Sequence, residues 1–282
     1  MATLTQVAKF FLPEIAVDTV AYARLYKQSH GVFPNLFFPR KFTEKVFWRS
    51  LFDQRPILRQ FADKYAARAF IEERLGGHLL PKLYHVTQDP DAIPFADLPD
   101  RFVVKPTHGS GWIKLVPNKA ELDIPALIEQ CKFWLAQDFY KKCRERVYRG
   151  IPRRILIEEL IDDKTEGGPA DYKFFVFHGR VEVIQAIFGR HAKFSIYHLD
   201  REWRNLNFNF NYEPFPGEAP RPPHLAEMIE VAETLAKDID FVRVDLYDTP
   251  EKIYFGELTT TPSAGLDRFN PQRFDAYFGS LW

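Results

Sequence analysis

The sequence predicts an α+β fold. Residues 171–177 with 180–188, and 241–247 with 253–259, are alternating apolar segments joined by short turns, and they read as antiparallel hairpins. Ahead of and between them lie segments with apolar residues three and four apart, such as Leu225, Met228, Ile229, Ala232 and Leu235, the spacing of a helix with one buried face. The repeated βαβ units of a doubly wound sheet are missing from the pattern.

In chain order, residues 14–29 are a predicted helix ended by Gly31, and 43–51 are a second. Asp63 suits the N-cap of a third over 64–75, with Gly76 and Gly77 as its stop. Strands are expected at 79–86 and 101–105, an extended piece at 111–117 and a helix at 124–140. An apolar strand follows at 154–161. The first hairpin turns at His178-Gly179, a helix covers 222–237, and the last hairpin turns through residues 248–251. The expected division is a mainly helical region over 1–100, a second part over 101–165 and a third over 166–282.

The 38 Lys and Arg balance 38 Asp and Glu, so the basic excess of a phosphate-tracking nucleic-acid binder is missing. Aromatic residues reach 16%, which argues for a folded core and against disorder. Cys131 and Cys143 fit no zinc, thioredoxin or haem spacing and read as free thiols of a reducing compartment. The first residues lack a sustained apolar signal, and no stretch approaches the ~20 apolar residues of a membrane span. The expectation is a cytoplasmic protein. Residues 1–40 carry Tyr22, Arg24, Tyr26, His30 and Arg40 as exposed candidates, for a substrate platform or for a homodimer contact. His178, His191 and His198 show no metal spacing and read as satisfied surface or core residues.

Four segments carry chemistry. In the first, Lys105 is followed by His108-Gly109-Ser110-Gly111 and Trp112. Glycines here let backbone amides approach an anion, although a plain hairpin turn has the same pattern. In the second, Glu158 and Glu159 interrupt an apolar run, either as charges on an edge strand or beside a nucleotide base. In the third, Lys173 shares a strand face with Asp171, Phe175 and Phe177, as a functional cation or a snorkelling one. The last hairpin puts Arg243 and Asp245 on one face. A turn on 249–251 places Arg243 opposite Glu257, with Asp245 one diagonal step away; a four-residue turn puts Asp245 and Glu257 on opposite faces. Two carboxylates converging there would suit Mg²⁺, which takes oxygen ligands, and an Arg–Asp–Glu network is the structural alternative.

With Thr43-Glu44-Lys45, Asp63-Lys64-Tyr65, residues 102–111, 157–160, 171–175, 242–247 and 256–259 in this order, the chain resembles the ATP-grasp superfamily. Within it, the resemblance is to the TupA-like proteins of bacterial surface-polysaccharide (capsule) biosynthesis. It implies two α+β subdomains clasping ATP after a helical lead-in, with a glycine-rich lid over 101–165 and the metal hairpin in 166–282. Lys64, Lys105 and Lys173 would approach the phosphates, residues His108, Gly109, Ser110 and Gly111 would cover them, and Glu158, Glu159 and Leu160 would form the adenine hinge. Asp245 and Glu257 would hold Mg²⁺, with Thr259 where many members have Asn. Arg243 would stabilise an acyl phosphate, with Lys105 and Lys173 as the other catalytic cations. Asp162, Asp163 and Glu166 are in range of the ribose, and the sequence does not choose among them.

The implied activity is an ATP- and Mg²⁺-dependent carboxylate–amine ligase, forming a C–N bond with release of ADP and phosphate. Its partners would be a small-molecule or saccharide carboxylate and an amine, with a uronic acid of a polysaccharide or its precursor as the acceptor. A sugar or lipid-carrier kinase, a glycosyltransferase of the same pathway and a non-catalytic ATP-binding module are the other readings.

Overall fold

The computed structural model describes residues 13–161, 168–189 and 194–282. The ribose candidates Asp162, Asp163 and Glu166, and His191, lie outside these residues. Two antiparallel sheets organise the chain. The first has the order β1-β4-β2-β3, from β1 (Leu83–Thr87), β2 (Phe102–Pro106), β3 (Lys114–Val116) and β4 (Ile155–Glu159). Phe102, Val104, Ile155 and Ile157 pack from this sheet against Leu127, Cys131 and Trp134 of helix Ile124–Ala136. That helix stops at Ala136, short of the expected 140, because Asp138 caps a separate turn of helix, Phe139–Cys143, by accepting from the Lys141 amide. The edge-strand reading of Glu158 and Glu159 fails: β4 lies between β1 and β2. β1 joins this sheet from residues 83–87, ahead of residue 101 where the sequence-based division began its second part.

The second sheet has the order β10-β9-β5-β6-β7. Its strands are β5 (Asp171–Phe177), β6 (Arg180–Phe188), β7 (Ser195–Leu199), β9 (Phe241–Asp248) and β10 (Ile253–Thr259); β8 (Asn209–Phe210) and β11 (Phe269–Asn270) form a separate ribbon. The hairpin turn between β5 and β6 uses φ 49° at His178 and 79° at Gly179, the left-handed pair that matches strand twist. One face of the sheet (Tyr172, Phe174, Val242, Val244, Leu246) is covered by helix Leu225–Leu235 and by Phe61, Phe70 and Ile71. The other face is divided along the strands. At one end Phe175, Phe177 and Phe241 meet Phe42, Phe208, Phe269 and Phe278 in a cluster of edge-to-face and tilted rings. At the other end the same strands carry Asp171, Lys173, Arg243 and Asp245. Much of the aromatic surplus is therefore core.

Register is set by one glycine. The turn has four residues, since Asp248 pairs with Ile253, and this alone would send Glu257 to the face of Ile253 and Phe255. A bulge at Gly256 restores it: Phe255 pairs with Leu246, but Glu257 pairs with Asp245 and Thr259 with Arg243. The expected pair Arg243–Glu257 is thus corrected, and Asp245 and Glu257 become direct neighbours on one face. A Cβ at Gly256 would lie 3.0 Å from the Asp245 carbonyl oxygen and 3.0 Å from the Tyr247 ring.

Helices α1 (Glu14–His30), α2 (Phe42–Phe52), α3 (Pro56–Ala62) and α4 (Ala66–Leu75) precede the sheets. The expected helix over 64–75 begins at Ala66, because Asp63 accepts from the amides of Tyr65 and Ala66; α3 was not anticipated. The strand expected from 79 starts at Leu83, after a 3₁₀ turn at Gly77–Leu79. Of the candidates in residues 1–40, Tyr22 and Tyr26 are buried rather than exposed, packed with Phe47 and Leu51. No described helix is long and apolar enough to cross a membrane.

Candidate active site

Strands β5, β9 and β10 bring together the charged residues of the second sheet. Arg243 donates from Nε and Nη2 to Asp245 Oδ1 and Oδ2, both at 2.7 Å, a bidentate fork. Lys173 Nζ donates to Asp245 Oδ2 at 2.5 Å and pairs with Asp171 Oδ2 at 2.9 Å, so it is no snorkelling surface lysine. The Thr259 hydroxyl accepts from Arg243 Nη2 at 3.0 Å and donates to Glu257 Oε1 at 2.8 Å. Burial alone would raise the Asp245 carboxyl, but Arg243 and Lys173 outweigh it and hold the group below the usual carboxylate range. Burial likewise opposes the Arg243 charge, yet Asp245, with Glu257 and Asp171, makes the guanidinium more basic than usual.

The first sheet supplies the facing wall. Lys105 pairs with Glu158, which Arg68 also reaches at 3.4 Å. Lys64, on the link between α3 and α4, donates to the Gly109 carbonyl at 2.5 Å. Burial pushes the Lys64 ammonium down; Glu257 opposes this and Lys105 adds to it. Gly109 has no room for a side chain, since a Cβ would stand 2.7 Å from the Trp112 ring, and Gly111 adopts φ 74°. Glu159 ties the two sheets: it accepts from Tyr254 at 3.0 Å and from the Lys82 amide at 3.0 Å.

One cleft of about 740 Å³ collects Lys64, Lys105, Ser110, Gly111, Trp112, Lys173, Arg243, Asp245, Glu257 and Thr259. Gly109, Glu158, Glu159 and Leu160 are not on its lining, although Glu158 and Lys105 share a smaller recess with Arg68 and Pro81. His108 departs from expectation: its side chain is buried in the first sheet's core and donates from Nε2 to the Trp134 carbonyl at 3.1 Å. His108 lies in the turn beyond the end of β2, and its side chain goes into the core while its backbone stays in the loop. Trp112 lines the cleft and packs edge-on against Phe139.

Sequence reasoning missed Glu145, Tyr148, Thr261 and Ser263, which line the same cleft. They lie on loops and a 3₁₀ turn without periodicity, so only the folded chain brings them to the site. The segment after Thr261 is strained: Ser263, Ala264 and Gly265 have φ of 46°, 55° and 69°. Helix α1 holds it, with Tyr22 donating to the Ala264 carbonyl and His30 Nε2 to that of Gly265 at 2.9 Å. This gives α1 a structural place beside the cleft.

Asp245, Glu257 and the Thr259 hydroxyl form an all-oxygen donor set that fits Mg²⁺. Among the described residues no cluster of three or more acidic, His or Cys side chains forms a metal site unaided. The remaining ligands would be phosphate oxygens and water, the usual arrangement for this ion.

A two-sheet α+β clasp with lysines on one wall and paired carboxylates on the other defines the class. Residues 44–282 match the family described as TupA-like ATPgrasp, and the chain belongs to that family and has its ATP-grasp fold. Among solved structures, D-alanine–D-alanine ligase from Bacillus anthracis complexed with ATP is 18% identical, covering 71% of this chain and 55% of that one, with a TM-score of 0.46. The Helicobacter pylori D-alanine–D-alanine ligase is 16% identical, with 79% and 61% covered and a TM-score of 0.42. N5-carboxyaminoimidazole synthase from Aspergillus clavatus, in complex with ADP and 5-aminoimidazole ribonucleotide, is 11% identical, with 75% and 45% covered and a TM-score of 0.42. The chain thus spans 45% to 61% of the length of these structures. No curated protein matches the sequence.

Proposed function

We propose that the protein is a carboxylate–amine ligase that uses ATP and Mg²⁺ to attach an amino acid or amine to a uronic acid of a bacterial surface polysaccharide or its precursor. The observation that carries the ligase reading is the direct pairing of Asp245 with Glu257 beneath Arg243 and Lys173, across one cleft from Lys105 and Lys64. Family membership supports the ATP-grasp chemistry, and the polysaccharide acceptor rests on family analogy.

In this reading Lys64 and Lys105 receive the nucleotide phosphates, and the loop backbone approaches them at Gly111 without a Cβ in the way. Asp245, Glu257 and Thr259 would hold Mg²⁺, which when bound would supply charge neutralisation at the transferring phosphate. Arg243 and Lys173 receive the negative charge that builds on the acyl phosphate as phosphate is passed to the carboxylate and then displaced by the amine. Loop 109–111 and Trp112 keep water from the intermediate.

Hydroxylamine tests the reading, because it traps an acyl phosphate as a hydroxamate. The expected outcome with Mg·ATP and glucuronate or galacturonate is ADP release with stoichiometric hydroxamate. ADP release with a stable phosphorylated sugar would favour a kinase, and nucleotide binding without ADP would favour a binding module.

A further inference from the structure

Buried acids here are answered by cations or backbone amides: Asp18 by Arg144, Glu158 by Lys105, Asp171 by Lys173, Asp245 by Arg243, and Glu44, Asp63 and Asp275 by amides. Glu145 is the exception among the described residues. It is 7% exposed, and among the described residues no Lys, Arg or His pairs with it. The Thr261 hydroxyl donates to Oε2 at 2.5 Å. Burial pushes its carboxyl up to about 7; hydrogen bonds from Thr261 and Cys143 oppose that shift and Glu257 adds to it.

Such a group is costly, because a buried charge without a partner lacks both water and counter-ion. It persists here at a place the fold has fixed. Glu145 lines the cleft with Tyr148, Thr261 and Glu257, and Thr261 leads into the strained turn that α1 buttresses. The shape of the charge is specific. Anionic ligands are served by Lys64, Lys105, Lys173 and Arg243, whereas Glu145 shares its part of the lining with the Glu257 carboxylate and the Thr261 and Tyr148 hydroxyls, and the Lys142 ammonium on the same lining forms no salt bridge with it.

We propose that Glu145 anchors the amine substrate, its carboxylate pairing with the donor's primary ammonium at the end of the cleft beside Glu257. This deepens the ligase reading and rests on it for the identity of the ligand as a substrate. An ammonium supplies the missing counter-charge, and its three donors match the Glu145 and Thr261 oxygens. The donor class is a primary amine, such as an amino acid or amino sugar.

The test is ligand-observed saturation-transfer NMR on the full chain, with and without Mg·AMP-PNP, using glycine, ethanolamine, L-lysine and D-glucosamine as probes. At least one probe is expected to bind saturably, its N-acetyl derivative to bind at least tenfold more weakly, and Glu145→Gln to weaken the amine by a similar factor. Thr261→Val, which removes a hydrogen bond and keeps the charge, should weaken it less than threefold. No binding by any probe, equal binding of amine and acetamide, or full binding by Glu145→Gln overturns the proposal. The comparison with the acetyl derivative uses the wild-type chain, so a misfolded variant does not block it. If Mg·AMP-PNP leaves the melting temperature unchanged, the ligase reading falls, while the nucleotide-free amine measurements still decide the role of Glu145.

Discussion

The two walls of the cleft balance charge in opposite directions. The first wall gives the cleft two cations, Lys105 and Lys64, while Glu158, which pairs with Lys105 and Arg68, lies in the adjoining recess. On the second, three acids, Asp171, Asp245 and Glu257, face two cations, Lys173 and Arg243. Zero net charge over the chain thus hides a gradient across one cavity. A ligand such as Mg·ATP, whose phosphates carry the metal, presents anion and cation side by side and matches that contrast better than a simple anion or cation would.

The sharpest way to break this comparison is to delete one charge from each wall. Asp245→Asn removes the acid that holds Arg243 and Lys173, leaving buried cations short of partners. It should cost about 3–5 kcal/mol of stability and lower ADP formation about a thousandfold. Lys105→Ala leaves the buried Glu158 with Arg68 as its counter-charge, so its stability cost should be smaller, about 1–3 kcal/mol, while Mg·ATP loses most of its stabilising effect. Urea unfolding and thermal shifts with Mg·ATP measure both. A larger stability loss from Lys105→Ala than from Asp245→Asn would mean that the walls are not balanced as described.

Gly256→Ala tests the register rather than the charge. The added methyl would crowd the Asp245 carbonyl and the Tyr247 ring, each 3.0 Å away. Relieving that contact should cost about 1–3 kcal/mol and, by moving Glu257 relative to Asp245, reduce ADP formation by more than the stability loss explains. A folded variant with unchanged activity would show that the bulge does not position Glu257.

Legibility in the sequence followed locality. Alternation alone placed Arg243 with Asp245, and Lys173 with Asp171, on shared faces, because a strand's period is fixed by its pleat. The convergence of Asp245 and Glu257 was legible only as a diagonal step, and their direct pairing was not legible, since a four-residue turn and a glycine bulge together decide it. Glu158 looked like an edge residue because nothing in residues 154–161 reveals that β1 will pair on the far side. His108 was assigned to phosphate by its neighbours, although its side chain belongs to another core. Glu145 and Thr261 gave no signal at all, as they come from irregular segments 116 residues apart.

Each sheet also buries a neutral histidine, and the pair gives the smallest and most graded contrast. His198 is fully buried, with Nδ1 donating to the Phe208 carbonyl at 3.0 Å and Nε2 in contact with the Gln185 amide at 2.9 Å. Burial pushes its pKa down to about 3, against a weaker opposing effect of the Phe208 hydrogen bond. His108 is also pushed down by burial, and its Nδ1 has no partner among the described residues. Below the ordinary histidine pKa of about 6.5 the unfolded chain takes up a proton that folded His198 refuses, so stability falls as pH drops from there toward 3. The slope is about 1.4 kcal/mol per pH unit for a fully refused proton, or about 2 kcal/mol between pH 6.5 and 5. Urea unfolding over this range should therefore flatten by about that amount in His198→Asn, and by less in His108→Asn, which sits nearer its ordinary value. Equal slopes in wild type and both variants would place the acid sensitivity in the carboxylates of the cleft instead.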